Sequence, residues 1–105
     1  MTRPKNGMPP IHPGEILLED YLKPMDMSAN ALALALGVPT NRVTQIINGE
    51  RGITADTALR LARAYDTGPE FWLNLQNFFD LEVTRRSGKI SEIERQVHPA
   101  PAPVS

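Results

Sequence analysis

Apolar side chains recur at helical spacing from about residue 14 to residue 83, and the alternation of a strand survives nowhere. The first stretch, about 14–23, puts Leu18, Leu22 and Met25 at i, i+4 and i+7 with Leu17 and Tyr21 beside them. Pro24 ends it. A second stretch follows Ser28, a good N-cap, turns Leu32 and Leu36 inward and Leu34 outward, and closes at Gly37. The third, about 40–48, lies between Pro39 and Gly49. The fourth opens on Thr54 with Asp56 in its first turn, where a carboxylate suits the helix dipole. Its inner stripe is Ala58, Leu61, Ala62 and Tyr65. The fifth is expected to start on a capping box of Thr67 and Glu70 and to run through FWLNLQNFFDLEV to about Val83. The pattern predicts an all-α domain of five helices.

The flanks read differently. Residues 1–13 carry Pro4, Pro9, Pro10 and Pro13 and form an arm without helix, with His12 at the start of the first helix. From Ser87 onward a flexible tail is expected, because a segment ending in HPAPAPVS offers too little apolar surface to offset ordering. That leaves 14–86 as the domain and 87–105 as tail.

Two short helices joined by the tight Gly37-Val38-Pro39 turn make a helix-turn-helix, whose second helix enters the major groove of DNA. On that helix Val43, Ile46 and Ile47 share the core face. Asn41, Thr44, Gln45 and Asn48 point the other way, and Arg42 lies on the flank. A polar outer face is most often merely solvated. This one has no Asp or Glu from 38 to 48, as a surface facing phosphates requires. Its side chains also suit base edges. Asn and Gln can pair with adenine N6 and N7, Arg with guanine O6 and N7, and Thr can offer a hydroxyl or a methyl.

Composition narrows what else the chain could be. Its 105 residues suit one domain with a modest core, and 41% hydrophobic with 22% charged residues is ordinary for a globular protein. No apolar run approaches the roughly 20 residues of a membrane span, and no basic-then-apolar leader is present, so a cytoplasmic protein is expected. With no cysteine and two distant histidines, His12 and His98, neither a disulfide framework nor a metal centre is expected, and no cofactor is implied. The net charge of −1 means that attraction to a polyanion must come from local placement of Arg and Lys.

The last helix carries more apolar surface than one core-facing arc needs. Phe71, Leu75, Phe78 and Phe79 form a stripe that Trp72 and Leu73 widen. It is either wholly buried in a small core or a dimer interface. The second is favoured, since aromatic residues are enriched at interface cores and two-fold repressors need one. Arg85, Arg86 and Lys89 beyond it read as solvated, or as complements to the helix C-terminus.

The stretch from Leu32 to Gln76 resembles the lambda-repressor-like (Xre-type) helix-turn-helix class. NGERGITADTALRLA, PEFWLNLQ and the leading HPGEIL are more narrowly similar to HigA-type antitoxins of bacterial toxin–antitoxin modules. The resemblance implies Thr40, Asn41, Arg42, Thr44 and Gln45 as groove readers, and Asn48, Arg51 and Thr54 as contacts to the DNA backbone. Many domains of the class place a phosphate-clamping Gln at the second position of their second helix. Here Ala29 stands there, leaving Asn30 or a backbone amide to make that contact.

It also implies a homodimer on double-stranded operator DNA that represses its own operon and neutralises a HigB-type ribonuclease toxin. A solitary Xre-family repressor without a toxin is the alternative. A toxin that cleaves RNA should present a basic surface, so charge complementarity points to one of two acidic patches. These are Glu15, Glu19, Asp20 and Asp26 near the first helix, and Asp80 and Glu82 at the end of the fifth. The first, through Glu15, Glu19 and Asp20, is favoured. Two other classes compete. A ribonuclease needs a general base, a general acid and cations around a scissile phosphate, and histidines in proline-bounded segments at 12 and 98 suggest no such group. The remaining option is a helical adaptor that binds only protein.

Overall fold

The computed structural model describes residues 9–102, which form six helices and no strand. Helix α1 (Pro13–Ile16) passes into a π-helical turn over Leu17–Leu22, and α2 (Ala29–Leu36), α3 (Thr40–Ile47), α4 (Ala55–Tyr65), α5 (Pro69–Arg86) and α6 (Lys89–Gln96) follow. Residues 1–8 of the expected arm lie outside the described residues. None of the described helices is long and apolar enough to cross a membrane.

His12 opens α1 by accepting the Gly14 N–H on Nδ1 at 2.9 Å, and Pro13 occupies the first turn, where its missing N–H costs nothing. Pro13 is buried, and α1 begins one residue before the expected start of the first helix. Burial pushes the His12 imidazole below its ordinary pKa, against the raising pull of Asp80 and Glu15, which favours the neutral form that can accept this bond. Further along, the Lys23 N–H reaches back five residues to the Leu18 carbonyl at 2.9 Å. That wider turn lets both Leu17 and Leu22 enter the core. Met25, expected on the same stripe, falls in the following turn and is 63% exposed.

Ser28 caps α2 by accepting the Ala31 N–H at 3.0 Å. Both helices of the helix-turn-helix, α2 and α3, then end in the same way. Gly37 (φ 71) and Gly49 (φ 75) take the left-handed conformation that a side chain resists. Around them, Val38 donates to Ala33 and Gly37 to Leu34, while Glu50 donates to Gln45 and Gly49 to Ile46. Both are Schellman motifs, and they satisfy the last carbonyls of α2 and α3.

The core gathers Leu17, Leu22, Leu32, Leu36, Val43, Ile46, Ile53, Leu61 and Trp72. Trp72 is fully buried. Tyr21 and Phe71 pack against its ring at centroid distances of 5.1 and 5.0 Å, and its Nε1–H donates to Thr67 Oγ1 at 2.9 Å. This corrects two expectations. Thr67 satisfies an indole rather than capping a helix, and α5 starts from Gly68 without a side-chain cap. Trp72 belongs to the core of its own chain and not to a dimer face.

The C-terminal stretch also departs from the sequence reading. Instead of a structureless tail from Ser87, α5 continues to Arg86, turns at Gly88 (φ 84) and gives way to α6. Ile90, Ile93 and Val97 recur at i, i+3 and i+7 there, and Lys89 pairs with Glu92 at 3.2 Å. Those signals are local, and they stop at the proline-rich end that follows His98.

Candidate nucleic-acid interface

Helix α3 is held from behind. Val43 and Ile46 are each 1% exposed, and Ile47 packs on the same cluster. The opposite face is open, with Thr40, Asn41 and Asn48 exposed and Thr44 and Gln45 partly so. No acidic residue lies within the helix. Thr40 Oγ1 donates to Asn30 Oδ1 at 2.7 Å, so a groove-reading candidate and a backbone candidate meet where α2 and α3 begin. The bond uses the Asn30 oxygen and leaves its NH2 group as a donor for an outside acceptor. Thr44 Oγ1 bonds locally to the Asn41 carbonyl at 3.2 Å.

Arg42 is engaged elsewhere. Its Nη1 lies 2.6 Å from Asp56 Oδ2, the oxygen that also accepts Arg60 Nε–H at 2.9 Å, and Arg60 Nη1 donates to the Leu36 carbonyl at 2.8 Å. The chain of bonds runs from the end of α2 through α4 to the flank of α3. The Arg60 guanidinium first, and then Arg42, hold the Asp56 carboxyl below its usual pKa, so the clasp stays charged. In the free chain Arg42 is therefore held against α4, while Thr40, Asn41, Thr44 and Gln45 lie on the open face of α3.

The turn after α3 carries the backbone candidates. Asn48 and Arg51 are exposed. The Thr54 hydroxyl is used twice within the chain, accepting the Thr57 N–H at 3.3 Å to cap α4 and donating to Thr57 Oγ1 at 3.3 Å. One residue was missed in the sequence. Gln76 of α5 accepts the Ile53 N–H on Oε1 at 2.7 Å and donates Nε2–H to Asp80 at 2.9 Å. Its signal was available: an amide four residues beyond Trp72 falls on the inward side of α5.

The five aromatic and aliphatic residues expected at a dimer face divide. Trp72 is in the core and Leu75 packs against it. Phe79 turns inward to meet His12 edge-on at 4.8 Å. Phe71 and Phe78 are exposed, and exposed apolar surface continues through Leu81 and Val83 to Ile90, Ile93 and Val97. On α1 Glu15 is exposed, and in the π-helical turn after it Asp20 is exposed and Glu19 pairs with Lys23 at 2.7 Å.

The helix-turn-helix family pattern matches residues 18–72. An addiction-module antidote protein of the HigA family from Coxiella burnetii is 55% identical in sequence, with a TM-score of 0.81 over 89% of this chain and 100% of its own. Antitoxin HigA-1 of Vibrio cholerae is 46% identical over 76 residues, 72% of this chain and 71% of that protein. The chain belongs to the HigA family of Xre-like helix-turn-helix proteins. Antitoxin GraA in complex with its operator is also similar, 51% identical with a TM-score of 0.83 over 95% of this HigA-family chain and 100% of its own. The family pattern ends at Trp72, so the likeness to GraA extends beyond the helix-turn-helix core.

Proposed function

We propose that the chain is an antitoxin that binds the operator of its own operon as a homodimer, represses it, and neutralises a HigB-type ribonuclease toxin. The observation that carries the reading is the acid-free outer face of α3, with Asn41 and Gln45 set opposite the core-locked Val43 and Ile46. The likeness to GraA, an antitoxin that occurs in complex with its operator, supports it. Thr40, Asn41, Thr44 and Gln45 face the bases, and Asn30, Asn48 and Arg51 face phosphates. The dimer face is the exposed apolar surface of distal α5 and α6, in place of Trp72. The exposed carboxylates of Glu15, Glu19 and Asp20 offer a basic toxin an acidic surface. The chain itself has no catalytic role in this account and works in the cytoplasm, where its operator lies.

Base and phosphate contacts fail differently. Gln45→Ala is expected to weaken operator binding by ~1–3 kcal/mol while leaving non-specific DNA binding nearly unchanged. Arg51→Ala is expected to weaken both and to flatten the salt dependence by about one unit of slope. Titrations of promoter and scrambled duplexes across a salt series separate the two, and identical behaviour of both variants would refute this division of α3 from its following turn.

A further inference from the structure

We propose that Gln76 is a positioning residue for DNA binding, holding the turn after the reading helix in the shape that presents Arg51 to a phosphate. The proposal rests on the operator-binding reading above. The turn, residues 48–54, is fastened at both ends. At its start, the Schellman bonds of Gly49 and Glu50 tie it to α3. At its end, the Ile53 side chain is 5% exposed, but its N–H precedes α4 and has no carbonyl partner within a helix. Gln76 Oε1 supplies the acceptor at 2.7 Å.

Two further features make this a built contact. The Gln76 amide could present either end to the turn, and its 2.9 Å bond from Nε2 to Asp80 Oδ1 selects the oxygen. The turn also lies flat on that amide. A Cβ at Gly52 would stand 3.0, 3.0 and 3.1 Å from its carbon, oxygen and nitrogen, so the absence of a side chain there permits the approach. Arg51, exposed, is the residue immediately before this contact. Removing the acceptor strands a half-buried donor, and the turn escapes that penalty only by lifting away from α5. Arg51 then loses its fixed position relative to α3.

A residue that merely stabilises the fold would lower the melting temperature and leave the electrostatics of binding alone. A positioning residue predicts a change in salt slope and coupling to Arg51. The experiment measures promoter and scrambled-duplex binding across a salt series, with amide exchange of Ile53 in the free chain. The variants are Gln76→Leu, the shorter Gln76→Asn, and the charge-conserving pair Gln76→Glu with Asp80→Asn.

In both single variants the Ile53 amide is expected to lose protection, and affinity for both duplexes to fall alike by about five- to tenfold. The salt slope should drop by about one unit, and adding Arg51→Ala should cost nothing further. The exchanged pair keeps an acceptor for Ile53 and a donor beside it, so it is expected to restore both slope and protection. Gln76→Asn keeps a polar group and the net charge, so it serves if the leucine variant does not fold. A wild-type slope in a folded single variant, or an undiminished effect of Arg51→Ala in that background, would overturn the proposal. If the wild type itself bound promoter no better than scrambled duplex, the operator-binding reading would fall. The Ile53 exchange data would then decide on their own whether Gln76 holds the turn.

Discussion

Trp72→Ala is expected to destabilise each chain by ~3–5 kcal/mol rather than to separate two chains. The indole is fully buried between Tyr21 and Phe71, and it spends its N–H on Thr67. Truncation removes that packing, opens a cavity in a small core and strands a half-buried hydroxyl. A domain of this size has about 5–15 kcal/mol in total, so a large share of the margin is at stake. Thermal unfolding should show a fall of roughly 12–40 °C, at about 4–8 °C per kcal/mol. The difference from wild type should be the same at every protein concentration. A variant with unchanged melting temperature that becomes monomeric by light scattering would return Trp72 to an interface.

Gly14→Ala tests a backbone contact. A methyl at Gly14 would overlap the carbonyl oxygen of Ile46 and lie 2.6 Å from its carbon and 3.0 Å from Ile47 Cα. Replacing helical Gly by Ala ordinarily gains up to about 1 kcal/mol. Here the obstacle is the main chain of α3, which cannot rotate aside, so the cost should exceed the ~1–3 kcal/mol of common overpacking. The same carbonyl accepts the Gly49 N–H at 3.0 Å in the turn after the reading helix. Operator affinity should therefore fall together with stability. Denaturant titration and promoter binding on one preparation check both, and an alanine variant as stable as wild type would show that α1 does not press on α3 as described.

Gly14 also shows what sequence could and could not reveal. The HPGEIL motif was visible as a resemblance, but its glycine acquires a reason only when α1 is laid against α3, a contact between residues more than thirty positions apart. Local features were legible. Ser28, Gly37, Thr54 and Gly49 punctuate the helices where expected, because caps and left-handed turns depend on a few neighbouring residues. The core face of α3 was legible for the same reason, with Val43 and Ile46 buried.

Tertiary competition for polar groups was not legible. Thr67 has the spacing of a capping box, but a buried indole nearby had the stronger need for its oxygen. Arg42 has the chemistry of a guanine reader, yet Asp56 stands fourteen residues away in sequence and 2.6 Å away in space. Gln76 reaches a backbone donor twenty-three residues upstream. On α5, helical periodicity showed an apolar surplus without telling which side faced the chain's own core. Trp72 and Phe79 turned inward, while Phe71 and Phe78 stayed exposed.

The central claim is that two copies of this chain read an operator through α3. Hydroxyl-radical footprinting of the wild-type protein on the DNA upstream of its own coding sequence tests it most directly. Two protected patches are expected on one face of the duplex, centred ~34–36 Å or a multiple apart, and both lost together when Gln45→Ala is added to Asn41→Ala. Uniform protection along the duplex, or a footprint unchanged by that double substitution, would contradict it.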